Sequence, residues 1–106
     1  MNPRFRPVWL VLDPYTGARS LIGMLVTHDA GVALVRSPGA DHGLRPNQQR
    51  IVDLTVEELT DTASFDDLPL ALGPQVVLGE PVALPATVDA PVRWVAEQIL
   101  RHDEAA

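Results

Sequence analysis

The chain has 106 residues, 46% of them apolar and 21% charged, with a formal net charge of −6 at pH 7. That length supports one hydrophobic core without covalent staples and is too short for two, and the composition is that of a globular chain rather than a disordered one. Having no cysteine, the chain excludes disulfides, thiolate metal sites and cysteine nucleophiles; having no lysine, it excludes the Walker-type phosphate loop.

Charge divides along the chain. Residues 1–50 hold six arginines and three aspartates, whereas residues 51–106 hold two arginines and eleven carboxylates, so the halves carry +3 and −9. A polarised distribution of this kind steers and orients a charged partner, but it says nothing about fold. The longest apolar runs of the first half, 8–12 and 21–26, are too short for a membrane-spanning helix, so a soluble, cytoplasmic protein is expected.

In chain order, residues 5–12 form an apolar run ending at Asp13-Pro14-Tyr15-Thr16-Gly17. The run predicts a buried strand. In the turn, Asp13 bonds local backbone, Pro14 presets φ and Gly17 supplies a left-handed residue. A second strand over 18–27, a turn at 28–31 and a third strand over 32–36 complete an antiparallel meander, whose nearly unbroken apolar residues require cover on both faces. Residues 37–49, rich in Pro, Gly, Asp and Asn, read as a long loop. Val52, Leu54 and Val56 alternate with Asp53 and Thr55, which predicts a strand to about Leu54. Thr55 and Glu58 then match a capping box that starts a short helix at Val56. Ser64 followed by Phe65, Asp66 and Asp67 matches another helix start, stopped by Pro69 and Gly73-Pro74. Pro81 within 75–84 and Pro85 closing the segment predict an edge strand or an extended strap. A last helix is predicted over 91–102, with Asp89 as its cap, Pro91 in its first turn and Val92, Val95, Ala96, Ile99 and Leu100 as its apolar stripe.

These elements define an α+β fold in which a small antiparallel sheet packs against a C-terminal amphipathic helix. The sheet consists of the three-strand N-terminal meander and one or two further strands. Residues 1–106 form a single compact domain, with 103–106 as a frayed tail.

Chemistry-bearing patterns are sparse. His28, His42 and His102 lack the spacing of metal ligands on one element, and neither a metal nor a cofactor is expected. None of Ser20, Ser37 and Ser64 sits in a nucleophile elbow, and Ser37 near Asp41 and His42 is the one grouping with a possible base. The pairs Glu57-Glu58 and Asp66-Asp67 diverge on a helix, so they serve as helix-start charges rather than as an acid/base couple. Nucleic-acid binding through Arg4, Arg6, Arg19, Arg36, Arg45 and Arg50 is disfavoured by the net charge and by an aromatic content of 5%. One residue breaks its local pattern. On an α-helical wheel Trp94 falls beside Glu97, Gln98 and Arg101, opposite the apolar stripe, where it either anchors an interface or is covered by the 81–85 strap.

The reading that follows is a non-catalytic protein-binding module, comparable to a small acidic regulator, antitoxin or immunity protein. Its partner is another protein with a basic surface, met through Glu57, Glu58, Asp61, Asp66, Asp67, Trp94 and Arg101. The alternative is a small enzyme or ligand-binding domain whose 37–49 loop closes Arg36, Asp41, His42 and Arg45 over an anionic metabolite. A third reading is a self-associating subunit, a homodimer that pairs sheet edges or helices across a two-fold axis.

Overall fold

A computed structural model describes residues 3–28, 31–37, 43–60, 65–85 and 90–100. The meander forms as its sequence predicts: β1 (Arg4–Asp13), β2 (Ala18–His28) and β3 (Gly31–Arg36) pair consecutively and antiparallel. In the first turn the Tyr15 N–H donates to Asp13 Oδ1 at 2.9 Å, and the Gly17 N–H donates to the Asp13 carbonyl at 2.9 Å. Gly17 sits at φ +76°, the left-handed region that only glycine enters without a Cβ penalty.

The β1–β2 register shifts twice, between Val8 and Trp9 and again between Val11 and Asp13, and the first shift lies in the middle of the pair. Gly23 faces Val8 and Leu21 faces Trp9, leaving Ile22 as the extra residue of a β-bulge. Glycine is required beside it, because a Cβ at position 23 would run into the Val35 carbonyl of β3. The bulge also explains why β2 is buried from Ile22 to Val26 without a clean alternation.

The full sheet has the order β3-β2-β1-β5-β4, with β4 (Ala71–Gly73), β5 (Val76–Leu78) and β6 (Val82–Ala83), and β6 also pairs with β1. β5 lies against Val8, Trp9 and Leu10, and β6 lies against Arg4 and Phe5. The 75–84 segment thus runs along one side of β1 as two short strands broken at Gly79-Glu80-Pro81. Only β6 matches the expected edge strand. β5 is internal, flanked by β1 and β4, and this is possible because Pro74, Pro81 and Pro85 all fall outside the paired residues.

The expected strand at 50–54 is overturned. Residues Pro46–Thr60 form one continuous helix, α1, which also takes the last part of the expected 37–49 loop. Its start uses chemistry other than a Ser, Thr or Asp cap. Arg45 stands at the N-cap, its carbonyl accepting from the Gln49 N–H at 2.9 Å, while Gln48 reaches back to take the Arg45 N–H at 2.9 Å. Pro46 occupies the first helical position, where a missing N–H costs nothing. The expected capping role of Thr55 fails with the strand: Thr55 is buried mid-helix and donates its hydroxyl to the Ile51 carbonyl at 2.7 Å. The expected helix start near 64 is, over its described residues 65–68, a turn, and Ser64 lies outside the described residues.

The last described elements are α2 (Pro91–Trp94) and a π-helical stretch, Val95–Leu100. Ala90 stands at the N-cap and makes no side-chain bond, and Asp89 lies outside the described residues.

Strand alternation sorts the core onto the two faces of the sheet. Val8 and Leu10 of β1, Ile22 and Leu25 of β2, and Val76 and Leu78 of β5 cluster with Val52 and Leu59 of α1 and with Phe65. On the opposite face Met24 and Val26 cluster with Leu84 and Val95, with Phe5, Leu21, Val35 and Trp94 packed around them. The sheet is therefore the middle layer, and each face has its own helix.

Candidate functional site

Two of the N-terminal arginines are committed to the fold. Arg6 lies within β1, yet it points into the α1-side core and is only 2% exposed. Its guanidinium bonds no carboxylate among the described residues, although its charge helps to hold Asp66 ionised. Instead Nε donates to the Gly79 carbonyl at 2.8 Å, and Nη1 donates to the carbonyls of Phe65 at 2.7 Å and Leu68 at 3.0 Å. A planar fork with several fixed donors suits this task, since it ties the break between β5 and β6 to the 65–68 turn.

Arg4 reaches the same turn from outside. Its guanidinium grips Asp66 with Nη1 at 2.7 Å from Oδ1 and Nη2 at 2.6 Å from Oδ2, and its Cζ lies 5.1 Å from the centroid of the Phe65 ring. The hydrogen bonds from Arg4 hold the Asp66 carboxyl below its ordinary range and raise Arg4 above its own. The basic and acidic halves of the sequence therefore meet and partly neutralise here. Asp66, expected to face a partner, already has one in Arg4; Asp67 beside it is, like Asp66, exposed.

Trp94 is also not where the α-helical wheel puts it. The indole is half-buried and packs against the cluster of Met24, Val26, Leu84 and Val95. The wheel assumed an α-helical angle per residue from Val92 onward. The structure has a single α turn that gives way to π geometry at Val95, and Val92, counted on the apolar stripe, is 36% exposed. Arg101 and Asp61 lie outside the described residues.

Glu57 and Glu58 stand as expected on an exposed surface. That surface is a helix face rather than a post-strand turn. Buried Val52, Thr55 and Leu59 define the inner side of α1, with Ile51 and Val56 half-buried beside them. The outer side carries Arg50, Asp53, Leu54, Glu57 and Glu58, all exposed. Leu54 is 56% exposed and sits one helical turn from Arg50, Glu57 and Glu58. Asp53 accepts from Gln49 Nε2 at 3.0 Å, and neither Glu57 nor Glu58 has an ion pair among the described residues. The acids are legible in the sequence, whereas a period of two puts Leu54 on the buried side.

The residues of the alternative metabolite site are not brought together by what is described. Arg36 ends β3 and Arg45 precedes α1, both exposed, while Asp41 and His42 lie outside the described residues. Among the described residues no group of three or more His, Cys, Asp or Glu side chains is placed to hold a metal ion. No described helix is long and apolar enough to cross a membrane. On the α2 side of the sheet, a region missed from sequence, Arg19 stacks over Trp9 with Cζ 4.6 Å from the ring centroid.

The chain matches no protein-family description, and no curated protein and no solved structure is significantly similar to it.

Proposed function

We propose that this chain is a non-catalytic protein-binding module that docks a basic partner on the outer face of α1. The observation that carries the reading is Leu54, left 56% exposed on a helix whose inner face is fully occupied, with Asp53, Glu57 and Glu58 around it. An apolar centre whose rim is mainly acidic, with Asp53, Glu57 and Glu58 against the one basic Arg50, gives a partner both a surface to dehydrate and a field that orients its approach. Asp67 extends the acidic character on a turn that Arg6 and Arg4 hold in place. The partner is a protein with arginines or lysines around an apolar contact, the relationship found between small acidic regulators, antitoxins or immunity proteins and their targets. A chain without cysteine suits a reducing, cytoplasmic compartment.

Capture from native lysate on immobilised protein, run in parallel with Leu54→Asp and with Glu57→Arg/Glu58→Arg, tests the proposal. A basic protein retained by the wild type and lost from both variants supports it. Identical retention by all three places any binding elsewhere and refutes it.

A further inference from the structure

The two ends of the sheet differ in how they are protected against edge pairing. At one end β4 has only three residues, contains a register irregularity and is bracketed by Pro69 and Pro74. Such features keep an edge from templating another strand. At the other end β3 runs for six residues, Gly31-Val32-Ala33-Leu34-Val35-Arg36, without proline, without charge before Arg36 and with no irregularity in its pairing to β2. Its four central side chains are half-buried, and no described strand lies beyond it.

The phase of its free side follows from one bond. The Ser37 N–H donates to the Ile22 carbonyl at 2.9 Å, so residues 33, 35 and 37 turn their backbone groups toward β2. Antiparallel ladders alternate, so Val32 and Leu34 turn their N–H and C=O groups outward.

We infer that β3 pairs with the β3 of a second copy of this chain, antiparallel, about a two-fold axis through Leu34 and normal to the sheet. The strand is its own complement in this register. Leu34 faces the second copy's Leu34 and exchanges both backbone bonds with it, and Val32 comes opposite the second copy's Arg36. Outward groups thus meet outward groups, and each side chain stays on the face it occupies in one chain. The axis brings the two α1 helices to the same face, where Val32 and Leu34, now half-buried against the α1-side core, cover their counterparts. Charge favours a second copy at this place. Two chains of net −6 repel, and residues 31–35 of this edge bring no charge to the joint. The pairing does not use the outer face of α1 and is independent of the proposed docking there.

Sedimentation equilibrium from micromolar to millimolar protein, together with amide hydrogen exchange by NMR, tests the inference. The expected result is a reversible species of twice the 11.5 kDa chain mass, with Val32 and Leu34 amides whose protection rises with concentration. Val32→Pro removes an outward N–H and no bond of the β2–β3 ladder. It raises the dimer dissociation constant by about tenfold or more, whereas Val32→Thr, which keeps that N–H, leaves the dimer in place. Should Val32→Pro fail to fold, the wild-type amides decide alone. A single 11.5 kDa species throughout, or a dimer in which Val32 and Leu34 amides exchange as fast at high concentration as at low, overturns the pairing.

Discussion

Replacing Arg6 with methionine keeps most of the buried volume and removes every donor at once. The carbonyls of Gly79, Phe65 and Leu68 then each lose a bond now made at 2.8, 2.7 and 3.0 Å. A buried carbonyl left without a donor costs about 1–3 kcal/mol. The variant gains something in return, since a buried guanidinium no longer has to be desolvated, although the charge that helps hold Asp66 ionised is lost with it. The 65–68 turn can also relax partway toward water, because Asp66 and Asp67 on it are already exposed. Taking the low end for each carbonyl gives a loss of about 3 kcal/mol, and a domain of this size then melts at least about 10 °C lower. Arg6→Lys retains the charge but replaces the fork with a single ammonium that reaches one side of the Gly79 and Phe65–Leu68 gap, and it loses about half as much. Urea unfolding read by tryptophan fluorescence, with the slope checked for constancy, measures both variants. A change under about 1 kcal/mol for Arg6→Met at unchanged slope would show that these carbonyls find water without cost, and the turn would not depend on Arg6.

Three further outcomes follow from the same geometry. Leu59→Ala, at a side chain 1% exposed, costs about 2–5 kcal/mol, whereas Leu54→Ala, at one 56% exposed, changes stability by less than about 0.5 kcal/mol; equal effects in thermal unfolding would contradict the helical register. Gly23→Ala drives a methyl group toward the Val35 carbonyl and destabilises by about 1–3 kcal/mol, and a neutral result would mean that the bulge relaxes freely. Asp66 has a depressed pKa, so its contribution is complete above the unfolded-state value and is lost as pH falls through the folded one. Asp66→Asn therefore flattens the acid limb of the stability–pH curve, and added salt narrows the difference from wild type; parallel acid limbs would remove the ion pair from the account.

What the sequence disclosed follows from where the determining contacts lie along the chain. The meander was legible because each strand is an apolar run closed by its own turn, and the Asp13–Gly17 turn is held by bonds spanning only two and four residues. α1 was misread for two local reasons. It opens on Arg45-Pro46 rather than on a hydroxyl or carboxylate cap, and Val52, Leu54 and Val56 mimic alternation although only Val52 of the three is buried. The role of Arg6 was hidden because its acceptors lie 59, 62 and 73 residues away, and a basic residue next to Phe5 and Pro7 reads as a solvated strand end. Trp94 was misplaced by the change from α to π geometry at Val95, which no residue in the segment announces. The charge split was visible in composition, but its partial closure through Arg4 and Asp66 depended on a contact across 62 residues.

The outer face of α1 is tested most directly by the association rate of the captured partner as a function of ionic strength, for the wild type and for Glu57→Gln/Glu58→Gln. If the carboxylates steer docking, the wild-type rate falls steeply with added salt and the variant starts lower and falls less. Equal rates with equal salt dependence for the two proteins would contradict it.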